Sequence, residues 1–401
     1  MATAGDVAAG PAAGRELTVP PRWSWLLRRR EILVTAVIIV VVAASTAAHP
    51  YFWSSGNLAY IFADSVVIAL LALGESFVMI GRGIDLSVGA IMGLSAIFVG
   101  FRIQNDGMTL LPAILLGAGV GLLLGLGNAI LVGLIRLPPI IATLGTLSVY
   151  SGLEFVITNG NQVNTIPNSF TDLGSETVVP GVPIIALLIL PLVLVAAWVL
   201  RYTAFGRSIY AVGDDAEAAY RAGIGVQRVL FSTYLISGFF AGLGGVAYLI
   251  YTSGADSTTG VNDNLTAIAA AIIGGTALTG GVGGAFGAVV GSVFLTATLT
   301  AMSFAHVSDV WQPAGVGVLV LVAVVYDSRA RVSGGRRGAR RRWRAQPPRA
   351  LPPSARSRAA QTQPEQSRAA QSRGAQSRAA QPRGAQSRPA QSRPAGDGGP
   401  R

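Results

Sequence analysis

The feature that most constrains this chain is a series of ten long apolar segments. They lie at 32–48, 58–80, 87–103, 109–134, 139–158, 182–200, 229–251, 263–279, 284–304 and 310–326. A helix that spans a bilayer needs about 20 apolar residues, and most of these segments approach that length. They also lack the alternation of membrane β-barrel strands. The sequence therefore predicts an all-α polytopic membrane protein with about ten transmembrane helices. Among the short segments 87–103, 263–279 and 310–326, one or more are expected to be tilted, broken or re-entrant.

The chain is predicted to have three parts. These are a disordered basic N-terminus at 1–30, a transmembrane domain at 31–327, and a disordered tail at 328–401 rich in Arg, Ala, Gln and Pro. The net charge of +11 comes from the tail, since residues 329–401 carry +16 and the rest of the chain −5. No nucleic-acid partner is therefore expected. The tail is interpreted as a solvated extension, with adhesion to anionic membrane lipids as the functional alternative.

Arginines in the connections predict the orientation. Arg22 to Arg30 precede the first apolar segment, four arginines lie at 201–228, and the basic tail follows the tenth segment. The connections 159–181 and 252–262 contain no arginine. With ten spans the basic connections share one side, which the positive-inside rule makes cytoplasmic. We therefore expect a multi-pass protein with both termini cytoplasmic. A cleaved signal peptide at 32–48 is the alternative for the first segment.

The residue types exclude several kinds of chemistry. The chain has no cysteine, no lysine and two histidines. Thiolate metal sites, lysine Schiff bases and a Walker A phosphate loop are therefore excluded. We predict no catalytic residue, no metal site and no cofactor bound by this chain. Glycines recur every four residues at 117–125 and 283–291, a spacing that predicts close helix packing. The same interpretation is favoured over a phosphate loop for the glycine-rich stretch 280–284.

Acidic residues within apolar segments are candidate functional groups, because charge inside a bilayer is costly. Glu75 lies well inside the second segment, and Asp85 lies in a polar break after it. Asp85 is placed to cap the next helix, with Arg82 near enough to neutralise it. Asp64 and Glu154 are further candidates. For both, a position near the outer membrane interface is an equal alternative.

The connection at 201–228 has the features of a short amphipathic helix. Asp214 or Asp215 can cap this helix, and Glu217 suits its first turn. Gly223 can end it in a left-handed conformation. A short helix held between two spans suits a mechanical contact with another protein, and a solvated loop helix is the alternative.

Four blocks of the sequence carry a family resemblance. They are GIDLSVGAIMGLSA at 83–96, RLPPIIATLGTLSVYSGL at 136–153, RYTAFGRSIYAVGDDAEAAYRAGI at 201–224 and AIAAAIIGGTALTGGVGGAFGAVVG at 267–291. In this order they strongly resemble bacterial ABC-importer permeases of the ribose/monosaccharide type. The resemblance spans about residues 32–327. One departure is Arg82, where members of the family usually have glycine.

The resemblance implies a permease subunit of a bacterial cell-membrane importer that forms the path for a simple sugar. The implied partners are a second, identical or different permease subunit, an ABC ATPase that uses ATP, and an extracytoplasmic sugar-binding protein. The residues assigned to the translocation path are Glu75, Arg82, Asp85, Ser87, Thr143 and Thr146. The residues assigned to the ATPase-coupling loop are Gly213, Asp214, Glu217, Ala218, Ala219 and Gly223.

Other transporter classes stay open as alternatives. A branched-chain amino-acid permease usually carries an Asn-containing motif where GIDLSVG stands here, which favours a sugar as the cargo. A nucleoside permease of the same ABC class is a further alternative. An ion-coupled secondary transporter would need coupling residues, for which Glu75 and Asp85 would serve, and often shows internal repeats, which are not visible here.

Overall fold

A computed structural model describes residues 50–321 and residue 324. In chain order its first half contains a 3-10 turn (Pro50–Trp53), α1 (Ser55–Ile80), α2 (Val88–Asp106), α3 (Leu110–Ala129) with a π-helical turn (Ile130–Leu134), α4 (Pro139–Thr158), α5 (Asn168–Ser175), and a small antiparallel pair of β1 (Thr177–Val179) and β2 (Val182–Pro183). Its second half contains α6 (Ile184–Leu188), α7 (Leu190–Tyr202), α8 (Ala204–Asp214), α9 (Ala216–Arg221), α10 (Val226–Thr252), α11 (Asp263–Ile273), α12 (Ala285–Phe304), a 3-10 turn (Asp309–Trp311) and α13 (Gln312–Leu321).

Seven helical segments within the described residues are long and apolar enough to cross a membrane. They are α1, α2, α3 with its π-turn, α4, the α6–α7 pair, α10 and α12. The predicted all-α polytopic class is confirmed. Six of the predicted segments, the second to the seventh, correspond to spans, as does the ninth. The first segment and the predicted terminal regions at 1–30 and 328–401 lie outside the described residues, so the count of ten stays a prediction.

The three segments predicted to be short behave differently. Segment 87–103 forms α2, a continuous helix of 19 residues. Segment 263–279 is broken, because α11 ends at Ile273 and a non-helical stretch leads to α12 at Ala285. Segment 310–326 begins as a 3-10 turn and continues as α13 to Leu321. The expectation of a broken segment is therefore met by α11 and not by α2, and segment 310–326 continues beyond the described residues.

Helix α1 lies at the centre of the bundle. Of its apolar stretch 89% is buried, against 28% for α3, for α4 and for the α6–α7 pair. A helix that is apolar all round and buried belongs to the core of a bundle. The outer helices are equally apolar but expose that surface, as expected of side chains that face lipid.

The predicted close packing of glycine faces is confirmed. A Cβ added at Gly121 of α3 would overlap the carbonyl oxygen of Gly238 on α10, and would lie 2.6 Å from the Cα of Gly242. In a second pair of elements, a Cβ at Gly287 of α12 would overlap the carbonyl oxygen of Gly274, just after α11. Backbones this close leave no room for side chains. The α3–α10 seam also fixes the helices that carry the buried polar side chains described next.

Candidate functional site

The polar break between α1 and α2 carries a fully buried carboxylate, Asp85. Its Oδ1 accepts hydrogen bonds from the Ser87 backbone N–H at 3.1 Å, from the Ser87 hydroxyl at 2.7 Å and from Asn128 Nδ2 at 3.3 Å. Its Oδ2 accepts one from the Ser237 hydroxyl at 2.9 Å. Asn128 belongs to α3 and Ser237 to α10. Both carboxylate oxygens therefore have donors, as a buried charge requires, and Asp85 ties the break to two spans.

The same network reaches α4. Asn128 Nδ2 also donates to the Ser87 hydroxyl at 2.7 Å, and its Oδ1 accepts from the Thr146 hydroxyl at 2.6 Å. One turn earlier on α4, the Thr143 hydroxyl donates to the Ile84 carbonyl at 3.3 Å. These contacts join the break to α4 as well as to α3 and α10. We call this set of side chains the Asp85 network.

Glu75 of α1 extends the Asp85 network to the central helix. Its Oε1 accepts a hydrogen bond from the Asp85 backbone N–H at 3.2 Å. The residue is fully buried, and its Oε2 has no hydrogen-bond partner among the described residues. A buried acceptor without a donor is costly. Together with the contacts described above, Glu75 brings to four the spans that are hydrogen-bonded to the seven-residue break between α1 and α2. These spans are α1, α3, α4 and α10.

Five of the six predicted path residues lie in this network, and one does not. Glu75, Asp85, Ser87 and Thr143 are completely buried, and Thr146 is 8% exposed. Arg82 is exposed, and the ion pairs within the described residues join Arg102 to Asp106 and Arg221 to Glu217. The donors to Asp85 are all uncharged groups. The predicted neutralisation of Asp85 by Arg82 is therefore absent from this structure.

The predicted cap at Asp85 is also wrong. Ser87, not Asp85, occupies the N-cap position of α2, and its side chain makes no capping hydrogen bond. The Asp85 carboxylate instead accepts hydrogen bonds from Ser87, Asn128 and Ser237. Arg82 has a φ of 70°, a left-handed conformation in which glycine is favoured. This conformation accounts for the glycine that the family usually has at this position.

Sequence reasoning missed Asn128 and Ser237. Both are buried, and both stand beside or among glycines, within predicted apolar segments. The available signal was a polar side chain on a glycine-rich helix face, where spans pack closely and polar groups bond across the seam. The sequence did not indicate the hydrogen bond between Ser237 and Asp85, because the two residues lie 152 positions apart.

The glycines of the GIDLSVGAIMGLSA block pack against a second connection. A Cβ at Gly89 of α2 would overlap the carbonyl oxygen of Gly260, and one at Gly93 would overlap that of Thr259. Asn264 Nδ2 of α11 donates to the Leu86 carbonyl at 3.1 Å. Asp85 and Ser87 of the block therefore belong to the Asp85 network, whereas Gly89 and Gly93 pack against the connection before α11.

The predicted helix in the 201–228 connection is present as α9. Asp215 caps it, accepting hydrogen bonds from the backbone N–H groups of Glu217 and Ala218, both at 3.0 Å. Gly223 follows its end with a φ of 85°, the predicted left-handed conformation. Glu217 and Ala218 are exposed, whereas Ala219 is buried. The helix therefore presents a small side chain outward beside a charged one.

The end of α8 contacts the end of α1. A Cβ at Gly213 would overlap the carbonyl oxygen of Ile80 and lie 2.6 Å from the Gly281 backbone nitrogen. That nitrogen donates to the Ile80 carbonyl at 2.9 Å. Asp214, exposed, directly follows Gly213. Three backbones thus meet where α1 ends, five residues before Asp85.

Comparison with known proteins decides the family. Residues 57–325 match the family model described as "Branched-chain amino acid transport system / permease component". The chain belongs to this family of ABC-importer permeases. The resemblance stated from the sequence is confirmed, and the chain is a multi-pass transport permease of the ABC-importer type.

Individual relatives are import permeases as well. The Autoinducer 2 import system permease protein LsrC of Enterobacter sp. is 38% identical over 285 residues, covering 71% of this chain and 82% of the relative. The proteins of the same name are 36% identical over 285 residues in Klebsiella pneumoniae and 34% identical over 280 residues in Escherichia coli. These cover 71% and 70% of this chain, and 82% and 81% of the relatives. No solved structure matched the chain.

Proposed function

We propose that this chain forms the membrane path for a small sugar-like molecule in an ATP-driven importer. The observation that carries the proposal is the similarity, over most of both chains, to permeases named for import of autoinducer 2, a sugar-like signal. An extracytoplasmic binding protein delivers the cargo, and a separate ABC ATPase hydrolyses ATP. A second permease subunit completes the path.

The proposed topology places the α8–α9 connection and both termini on the cytoplasmic side of the cell membrane. Its support is the distribution of arginine. Four arginines lie at 201–228, and none lies in the connections 159–181 and 252–262. Arginine-rich connections stay on the cytoplasmic side of bacterial membranes. On that side the exposed residues of α9 are accessible to an ATPase.

The contact at Gly213 suggests how an ATPase movement reaches the path. The backbones of Gly213, Ile80 and Gly281 meet without an intervening side chain. A displacement of α8 is therefore not absorbed by a change of rotamer, and it shifts the end of α1. The break after α1 carries Asp85, whose hydrogen bonds hold α3 and α10. Packed elements of this kind pass on small shifts as discrete rearrangements.

The description of the family model favours a second candidate cargo, a branched-chain amino acid. Proteoliposomes that contain this permease, its ATPase and its binding protein separate the two. We expect ATP-dependent uptake of autoinducer 2 or of a monosaccharide such as ribose, and no uptake of leucine. Uptake of leucine alone would establish the second candidate. Uptake driven by an ion gradient without ATP would refute the ABC mechanism.

The coupling contact has its own test. Ala218→Arg places a large side chain on the exposed face of α9, so that an ATPase cleft shaped for a small residue no longer fits. We expect normal membrane insertion with at least tenfold weaker recovery of the ATPase in a pull-down. Ala204→Arg, at an exposed position of α8, is the matched control and should recover the ATPase normally. Full transport by Ala218→Arg would move the contact to the loops at 134–139 and 279–284.

A further inference from the structure

A cavity of about 600 Å³ lies among α7, α8 and the start of α12. Its lining includes Arg201 at the end of α7, Arg207 and Tyr210 on α8, and the glycine-rich stretch at 282–287. The Tyr210 hydroxyl donates to the Gly283 carbonyl at 2.8 Å and so holds that stretch against α8. The cavity is separate from the Asp85 network and from the exposed face of α9.

The charged side chains that line this cavity are both arginines. Arg207 Nη1 donates to the Tyr202 carbonyl at 3.2 Å, and the Arg201 guanidinium lies 5.6 Å from the centre of the Tyr202 ring. Both arginines therefore lie against Tyr202, and both line the cavity. Within the described part of the chain neither forms an ion pair. Two guanidinium groups that line one cavity without an acid favour an anion, and their forked donors suit phosphate oxygens.

The start of α12 adds to the positive potential. This helix has 20 residues, its N-cap is Gly284, and no side chain caps its first N–H groups. Its first turn contains no acid. The uncapped N–H groups and the helix dipole favour an anion at this end. The α12 terminus alone would not define a site, but it lines the same cavity as Arg201 and Arg207.

The surface around the cavity indicates where the anion comes from. Trp198 and Tyr202 lie one turn apart on α7 and are 58% and 64% exposed, and Phe286 at the cavity is 59% exposed. Exposed Trp and Tyr at the end of a span mark the level of the lipid headgroups. Leu194, one turn before Trp198, is also exposed. An anion that reaches this cavity therefore arrives beside an apolar surface suited to acyl chains.

We propose that this cavity binds the phosphate of an anionic phospholipid. Arg201 and Arg207 bind the phosphate oxygens, the first turn of α12 faces the same phosphate, and the acyl chains lie along the exposed face of α7. The lipid would bridge α7 to α12 next to the segment that carries α9. This proposal stands independently of the cargo.

Native mass spectrometry of the purified full-length permease tests the site. Phosphatidylglycerol is titrated against phosphatidylcholine, with the wild type and the double variant Arg201→Gln/Arg207→Gln. We expect the wild type to retain phosphatidylglycerol preferentially and the double variant to bind it at least fivefold more weakly. Arg228→Gln removes an exposed arginine in the first turn of α10, outside the cavity, and should stay within twofold of the wild type. Unchanged phosphatidylglycerol binding by the double variant would overturn the proposal.

Two further arms distinguish a bound lipid from a soluble anion, and a loss of charge from a loss of packing. Inorganic phosphate at equal concentration should leave phosphatidylglycerol bound, since only the lipid also contacts the apolar face of α7. Displacement by inorganic phosphate would identify a site for soluble anions and overturn the lipid proposal. Arg201→Lys/Arg207→Lys keeps both charges but removes the forked donors, so it should bind phosphatidylglycerol more weakly than the wild type by no more than about threefold. Loss of binding as large as in the glutamine variant would show that charge is not the cause.

Discussion

The seam between α3 and α10 offers a quantitative test of how packing supports the site. A Cβ at Gly121 would lie 2.6 Å from the Cα of Gly242 and would overlap the carbonyl oxygen of Gly238. Since ordinary carbon–carbon contacts lie at about 3.5–4.0 Å, Gly121→Ala forces the two helices apart by about 1 Å. Neither neighbour has a side chain that can move away. The strain therefore falls on the helix backbones.

The expected magnitude follows from two opposing effects. Overpacking a tight core costs about 1–3 kcal/mol, and contacts between backbones belong at the upper end of that range. Alanine gains about 1 kcal/mol over glycine in helix propensity. Gly121→Ala should therefore lower the free energy of unfolding by about 2 kcal/mol. The same substitution at Gly119 of α3, where an added Cβ has nothing within 4 Å, should be neutral or stabilising by up to about 1 kcal/mol.

The displacement should also reach the Asp85 network. Asn128 lies on α3 two turns beyond Gly121, and its hydrogen bond to the Ser87 hydroxyl is 2.7 Å long. Lengthening by about 1 Å takes this contact beyond hydrogen-bond distance. Transport should therefore fall in Gly121→Ala and remain normal in Gly119→Ala.

Unfolding by titration with SDS, followed by intrinsic fluorescence, measures the two free energies. Uptake in proteoliposomes measures transport. The two variants carry the same chemical change in the same helix. The difference between their free energies of unfolding therefore measures the effect of packing at the α3–α10 seam. Free energies of unfolding within about 0.5 kcal/mol of each other would refute the packing argument. A destabilised Gly121→Ala with normal uptake would refute the link from the seam to the Asp85 network.

Three further predictions concern the break and α9. Asp85→Ala leaves the buried Ser87 N–H without an acceptor and should cost about 3 kcal/mol of unfolding free energy. Asp85→Asn keeps an acceptor and should cost about 1 kcal/mol of unfolding free energy. If SDS titration gave the same loss of unfolding free energy for Asp85→Ala and Asp85→Asn, the result would contradict this prediction. Arg82→Gly relieves a left-handed φ of 70° and should stabilise by about 1 kcal/mol, whereas Arg228→Gly inside α10 should destabilise by about 1 kcal/mol. A lower free energy of unfolding in both variants would contradict the argument that the left-handed conformation strains Arg82. Gly223→Val places a β-branched residue at a φ of 85°, costing at least about 1–2 kcal/mol locally. Membrane insertion should stay normal while ATPase recovery in pull-downs falls, and full recovery would show that the end of α9 is not part of the contact.

Local features of this protein could be predicted from the sequence. The length of an apolar run is enough to predict a span, because the bilayer sets how many residues a helix needs. The glycine spacing in α3 and α12 predicted faces of close approach, since a period of four residues keeps small side chains on one side of a helix. The cap at Asp215 and the left-handed Gly223 were also predictable. Each depends on hydrogen bonds or backbone angles within a few residues.

The tertiary structure decided which polar groups meet. Asp85 finds Asn128 at a separation of 43 residues and Ser237 at 152, and it leaves Arg82, only three residues away, outside the Asp85 network. Position along the chain says little about such contacts. They depend on how each helix is rotated and how closely it approaches its neighbours, which glycine packing elsewhere along the same helices sets. A hydrogen bond tolerates only a few tenths of an ångström of displacement, so the site exists only once the whole bundle has packed.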